Sequence, residues 1–431
     1  MLSSPDFSLS EYEVSSRNGF LPDVPVQLLQ DPYYAPWETV ARDLTASIAA
    51  GTLRQAVDSL PALSTSKLRT ESEWRRAYVI LAYFTHAYVW GGEQPKDILP
   101  SAISVPFLEV SSHLELPPCA TYAALNLWNF TTSSPTLDLT SPEDLSVTLS
   151  FTGTKDEEWF LMISVAMEAR GAQLIQLMLD TIHAVSADDK LRVTSNLIRV
   201  REGIQEMGAI LERMYEYCRP AVFFHQLRPY LAGSKNMVAA GLPNGLFYDI
   251  GEGNGEWRQH SGGSNAQSSL IQTLDIFLGV EHSATGDPNG ERPKSQPPTK
   301  AGFIKEMRNY MPGPHRRFLE MLTRNSNIRS FAISHKPDSS VRDAYNAAVM
   351  AMGVFRDKHI QIVTRYIIMA SKLPHPEKAT ARLNLATSTS DKMQNSDGNI
   401  SGGVNGTGGT DLIPFLKQTR DTTKATANYA D

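Results

Sequence analysis

One histidine stands where chemistry would be unexpected. His359 interrupts an otherwise apolar row of Val341, Tyr345, Ala348, Met352, Phe355, Ile362 and Tyr366. Their spacings alternate between four and three, which puts all of them on one face of a helix. Two readings of His359 are open. It can be a core histidine bonded to a backbone carbonyl. It can also ligate a metal or a haem iron, since an oxygen-binding haem needs one protein ligand, an apolar surround and an open opposite face. Periodicity does not choose between them.

Other candidate chemistry is sparse. Two Cys in 431 residues, Cys119 and Cys218, cannot build a disulfide framework or a thiolate metal cluster. Neither has an activating neighbour, and both read as inert. His86, His113, His183 and His282 show no ligand spacing, and HExxH and GxSxG are absent. GSNAQSS, running up to a helix, could cradle an anion, as could GTGGTD at 406–411, but neither has the Lys of a P-loop or a clear preceding strand. Both read as loops capping helices. The balance of 40 Lys and Arg against 46 Asp and Glu argues against a general nucleic-acid binder. A hydrophobic content of 41% is enough for a large core.

The elements that must position His359 are mostly helical. The row containing it predicts a helix from Ser340 to Ala370, with Ser340 as N-cap and Asp343 completing a capping box. Leu197, Val200, Ile204, Met207, Leu211 and Met214 predict another. From Glu157 to His183 a third carries Trp159, Ile163, Met167 and Leu174 on one side, where Gly171 would admit a close neighbour. Residues 221–232 read as an interrupted helix. Further helices are expected at Trp37–Ala49, Ser72–Val89, Cys119–Phe130, Gln267–Val280, Phe303–Tyr310 and Asp411–Thr422. Residues 131–144 are loop, Leu145–Phe151 alternates like a strand, and 251–269 is a Gly-rich loop. A composition shift divides the chain into 1–153 and 154–431, with mobile loops at 284–302 and 373–409. Met1–Ser10 has no leader-like pattern, TANYAD at the end carries no targeting signal, and no apolar run is long enough to span a membrane. The expected compartment is the cytoplasm.

Several long motifs together resemble one family. They are EWFLMISVAMEA at 158–169, AVFFHQLRPYLAG at 221–233, SGGSNAQSSLIQTLDIFLG at 261–279, the block from Met311 through RDKHIQIVTRYI, and GTGGTDLIPFLKQTR at 406–420. In order and spacing they resemble indoleamine 2,3-dioxygenase across most of 110–423, and the first 100 residues more loosely. The resemblance implies a mainly α fold, with a large all-helical haem-binding domain and a smaller N-terminal mixed α/β domain capping its distal side. It implies a haem b enzyme that inserts both atoms of O₂ across the indole C2–C3 bond of L-tryptophan. The product would be N-formyl-L-kynurenine, the first step of the kynurenine route towards NAD. An external reductant would be needed, with no nucleic-acid or membrane partner and a monomeric chain.

By that resemblance His359 looks like the proximal iron ligand. Arg356 is similar to an arginine beside a haem propionate, and Asp275 to an acid that pairs with it. Arg228 resembles the arginine for the substrate carboxylate, and Phe223 the aromatic against the indole. Phe160, Ser164 and Tyr122 match distal-pocket positions. Gly263, Ser264 and Asn265 align with the loop beside haem and substrate, and Thr407 with a mobile-loop threonine that closes over the amino acid. No side chain is expected to act as a general base. Asn265 stands where many family members have Ala, and Leu125 and Asn126 replace small or apolar residues. These departures bear on selectivity, not on reaction class. A non-enzymatic haem or indole sensor and an unrelated helical scaffold without haem are the competing readings; the intact Phe223, Arg228 and Thr407 weigh against the sensor.

Overall fold

A computed structural model describes residues 8–282, 302–335, 338–373 and 412–427. Thr407 and the loops expected at 284–302 and 373–409, apart from residues 302 and 373, lie outside them.

The chain is mainly helical. We number its principal helices α1 (Glu71–Trp90), α2 (Ser101–His113), α3 (Lys155–Ser186), α4 (Lys190–Glu212), α5 (Ser269–Leu278), α6 (Gly313–Asn325), α7 (Ser339–Val363) and α8 (Leu412–Ala427). α7 packs against α4, α4 against α3, and α8 lies along α7. The rows expected from periodicity face these contacts. Leu197, Val200, Ile204 and Met207 of α4 are fully buried, as are Val341, Tyr345, Ala348 and Met352 of α7. Gly171 meets α5 as its lack of a side chain suggests, because a Cβ there would lie 2.2 Å from Leu270 Cδ2. α1 is buried from Arg76 to Trp90, which explains why its second half is apolar all round. A Thr70–Glu73 capping box starts it, and Arg54 donates to the carbonyls of Tyr88 and Val89 at its end.

The apolar core runs from Val14 to Ala427 as one cluster and includes both sides of residue 153. α3 begins at Lys155, capped by Thr154.

Several local expectations are corrected. Residues 251–258 are not loop. β4 (Leu246–Gly251) and β5 (Asn254–Arg258) form a hairpin, and β1 (Ile98–Leu99) joins β4 in parallel. Its glycines belong to the turn, where Gly251, Glu252 and Gly253 all have positive φ. The strand at Leu145–Phe151 is shorter: β3 (Leu145–Val147) pairs with β2 (Phe130–Thr132). Between Cys119 and Phe130 only Ala123–Leu127 is helical, as a π segment. The helix at Trp37–Ala49 breaks at Asp43. The N-cap of α7 is Asp338, which accepts from Ser340 N–H, so Ser340 lies inside the helix and the Ser340–Asp343 box does not form. α2 and α6 were not anticipated by any periodic pattern.

Candidate active site

Segments far apart in the chain converge on one cavity with about 1160 Å³ of empty space, part of it open to solvent. Its walls come from the 122–126 segment, α3, the end of α4, the 223–231 segment, the 263–266 loop, α7 and α8.

All three π segments among the described residues border this cavity. They are Ala123–Leu127, Phe223–Leu227 and Thr364–Met369. A π turn widens the helix and shifts the phase of the side chains, so sequence neighbours such as Leu125 and Asn126, or Tyr366 and Ile367, both reach the same space. The interruption expected at 221–232 is the second of these. Tyr366 anchors the third by donating to the carbonyls of Cys218 (2.7 Å) and Met214 (3.2 Å).

His359 borders the cavity from α7. It has no hydrogen-bond partner among the described residues, so the core reading lacks its carbonyl. Burial, then the charge of Arg356, push its pKa down to about 4. The ring is therefore neutral near pH 7, the form that can donate a lone pair to a metal. Arg356, one turn earlier, pairs behind the wall with Asp275 at 2.6 Å. Asp275 also meets His282 Nε2 at 3.0 Å. Burial alone would raise the Asp275 carboxyl, but the charges and hydrogen bonds of Arg356 and His282 outweigh it and hold its pKa below the usual range. Arg356 Nε is buried with no hydrogen-bond partner among the described residues.

On another side Arg228 is 1% exposed and borders the cavity directly. Its guanidinium carbon lies 5.6 Å from the Phe224 ring centroid. Burial lowers its pKa to about 10, which still leaves it charged at neutral pH. Phe223 stands edge-on to Phe160 (4.9 Å) and Tyr366 (5.8 Å), forming an aromatic wall.

The 263–266 loop is held by Gln267. Its Oε1 accepts from Tyr122 N–H (2.9 Å), and its Nε2 donates to Gly262 O (2.9 Å). Gly263, Ser264 and Asn265 all border the cavity. Tyr122 donates through its hydroxyl to Glu168 Oε1 at 3.1 Å, and Ser268 donates to the same oxygen at 2.6 Å. Asn126 also lines the wall; its amide donates weakly to Tyr122 O (3.3 Å), and its Oδ1 has no partner among the described residues.

The structure thus brings Tyr122, Phe160, Ser164, Phe223, Arg228, Gly263, Ser264, Asn265 and His359 together. Arg356 and Asp275 pair behind them, and Thr407 lies outside the described residues. Sequence reasoning missed Glu168, although a carboxylate two helical turns after Phe160 on an otherwise apolar face was a visible signal. It also missed Phe303 and Phe415, whose rings meet edge to face at 5.0 Å at the cavity. Cys119 and Cys218 are buried free thiols whose pKa values burial pushes up, which agrees with inertness. No group of three or more His, Cys, Asp or Glu among the described residues could hold a metal ion by itself. Nor is any described helix long and apolar enough to cross a membrane.

The family model for indoleamine 2,3-dioxygenase matches residues 8–426. An indoleamine 2,3-dioxygenase of Penicillium citrinum is 43% identical, covering 97% of this chain and 88% of that protein. One from Saccharomyces cerevisiae is 38% identical over 97% of this chain and 94% of its own length. A 6-hydroxytryptophan 2,3-dioxygenase of Fusarium equiseti is 36% identical, with 96% of each chain covered.

Proposed function

The chain belongs to the indoleamine 2,3-dioxygenase family, a family of oxidoreductases, and on that premise we propose that it is a haem-dependent dioxygenase that opens the indole ring of L-tryptophan to N-formyl-L-kynurenine. The observation that carries this is that one cavity is bordered both by His359, a neutral imidazole with no hydrogen-bond partner among the described residues, and by Arg228, a buried cation. A group able to ligate a metal and a group able to bind a carboxylate would thus share one space.

The residues fit a haem b. His359 would hold the iron through its free lone pair. Arg356, with a buried Nε lacking a partner among the described residues, would meet a haem carboxylate, while Asp275 balances its charge. Bound haem would supply the iron that activates O₂. The protein's own part is to bind, orient and dry the substrate. Arg228 would take the amino-acid carboxylate, because a guanidinium presents paired donors to a planar anion. Phe223 and Phe160 would flank the indole. The apolar walls exclude water from the reacting ring. This reading assigns no described cavity-lining side chain the role of a general base.

The test is direct. Recombinant protein supplied with haem should show a Soret band that shifts on CO binding to the reduced form, and should make formylkynurenine from L-tryptophan, O₂ and a reductant. Protein that retains haem but makes no such product sinks the enzymatic reading and leaves the sensor.

A ring-hydroxylated tryptophan is the second reading. Asn126 Oδ1 is a buried acceptor without a partner among the described residues in the cavity wall, and one relative is named a 6-hydroxytryptophan 2,3-dioxygenase. Side-by-side kcat/KM values for L-tryptophan and its hydroxylated analogues decide between them.

A further inference from the structure

Arg228 opens a single helical turn, Arg228–Leu231, directly after the π segment Phe223–Leu227. So short a helix does not hold itself in water, and Pro229 brings no N–H to it. The turn therefore takes its place from the groups that receive its last carbonyls. Two of these come from α1, one helical turn apart. His86 Nδ1 lies 2.7 Å from Tyr230 O, and Trp90 Nε1 donates to Ala232 O at 3.1 Å. The other ring nitrogen of His86, Nε2, accepts from Ala120 N–H at 3.0 Å. One imidazole thus bonds to the backbone just after Arg228 and just before Tyr122, residues on two separate walls of the cavity.

The ring hydrogen has one place. Ala120 N–H is a donor, so Nε2 presents its lone pair, and Nδ1 carries the hydrogen that Tyr230 O receives. Burial, against the opposing effect of the Tyr230 bond, holds the ring neutral, with its pKa pushed down to about 4. The Ala120 end is the fixed one. The Tyr78 hydroxyl lies 2.8 Å from Pro117 O and 2.9 Å from Cys119 O, and Tyr248 donates to Pro118 O at 2.6 Å. Gln267 holds the next residues through Tyr122 N–H. An imidazole set against this frame offers its N–H at a defined point, and the Arg228 turn meets it there.

We propose that His86 is a positioning residue for the substrate: by tying Tyr230 to Ala120 it fixes the Arg228 turn, and with it the guanidinium that grips a ligand carboxylate. The proposal rests on the reading of Arg228 as the carboxylate-binding group. His86 does not border the cavity and acts through the backbone alone. Its loss therefore weakens a ligand through the carboxylate and leaves the indole and amine contacts as they are. A role in stability alone makes no such distinction, since it would loosen every ligand alike. Two substitutions separate the ends of the ring. The amide nitrogen of asparagine stands at the Nδ1 position and can donate to Tyr230 O, while nothing then reaches Ala120. Leucine makes neither bond.

Anaerobic calorimetry on the full haem-loaded chain tests this, with L-tryptophan and with tryptamine, which has the same indole and amine but no carboxylate. Wild type should prefer L-tryptophan. His86→Leu should bind L-tryptophan about two- to tenfold more weakly, the worth of one neutral hydrogen bond, with tryptamine changed by less than about twofold. Its Soret absorbance per chain should stay at the wild-type level. His86→Asn should restore most of the L-tryptophan affinity. Equal weakening of both ligands in His86→Leu overturns the proposal. So does unchanged L-tryptophan binding, or an asparagine variant no better than the leucine one. Should the leucine chain not fold, His86→Met, whose side chain adapts to an irregular gap, takes its place beside His86→Asn. Failure of the Arg228 reading looks different: wild type itself would show no preference for L-tryptophan over tryptamine, and the proposal would fall with it. Neither ligand has to turn over, so absence of formylkynurenine would fail the dioxygenase reading and leave this result standing.

Discussion

Arg356 Nη2 donates to both carboxylate oxygens of Asp275, each at 2.6 Å. The pair joins α7 to α5 one helical turn from His359. Asp275 is 5% and Arg356 13% exposed, so neither charge has full access to water. Replacing Asp275 by Ala leaves a guanidinium without its partner in a dry site, which costs about 3–5 kcal/mol. Asn at 275 keeps an acceptor and should cost less. Urea unfolding of the two variants beside wild type measures this, and equal stability of Asp275→Ala and wild type would refute it.

His359→Ala should lose haem. The remaining cavity wall is apolar apart from a few hydroxyls and amides, and no other described histidine borders it. The purified variant should show less than a tenth of the wild-type Soret absorbance. A variant that keeps both haem and turnover would remove His359 from the iron.

Arg228→Lys should raise KM for L-tryptophan by about ten- to a hundredfold, the worth of a charge-assisted hydrogen bond of roughly 1.5–3 kcal/mol, with a smaller change in kcat. A lysine point charge cannot reproduce two parallel donors. Steady-state kinetics separates the two constants; an unchanged KM would mean that the carboxylate lies elsewhere.

Gly171→Ala should destabilise the fold by about 1–3 kcal/mol, the usual cost of overpacking. The new methyl would lie 2.2 Å from Leu270 Cδ2 and 3.0 Å from its Cγ, and Leu270 is fully buried. Adding Leu270→Val should recover part of the loss in thermal unfolding. Full stability of the single variant would mean that α3 and α5 separate easily.

Stability should fall as pH drops from 6.5 towards 5. Burial lowers the pKa of His86 to about 4 and that of His315 to about 3, from 6.5. In this window the unfolded chain binds protons at both histidines and the folded chain does not. Each therefore removes up to about 1.4 kcal/mol per pH unit, the limit approached as the unfolded histidine becomes fully protonated. His86 is further committed to the neutral form, since Nδ1 faces Tyr230 O (2.7 Å) and Nε2 accepts from Ala120 N–H (3.0 Å). Glu168 and Glu157 act in the opposite sense, because burial raises both carboxyls and keeps them protonated to higher pH when folded; His260, lowered by burial to about 4 as well, adds to the histidine side, and three histidines against two carboxyls leave a net loss. Melting temperatures at pH 6.5, 5.75 and 5 check the sign, and a rise towards pH 5 would contradict it.

Much of this was legible from residue order. Periodicity located the helices that form the core, because a face that must be buried is written in apolar residues at spacings of three and four, as in Leu197–Met207 and Val341–Met352. The same row marked His359 as an exception. Local pattern failed where non-local partners decide. The glycines of 251–253 looked like a loop until β1 gave the hairpin a neighbour to pair with. α6 was hidden behind Pro312, Gly313 and Pro314, whose place at a helix start depends on the packing that follows.

For the site the division is sharper. Residue order and motif likeness named Tyr122, Phe160, Ser164, Phe223, Arg228, Ser264 and His359 as separate positions on separate segments. Tertiary structure alone put them round one cavity, through three π segments that no periodicity reveals, since each is a one-residue change of phase imposed by packing. It also decided the chemistry of Glu168 and His359. A carboxyl or an imidazole has an ordinary pKa in a sequence, and only the burial and the neighbours that folding supplies can move it.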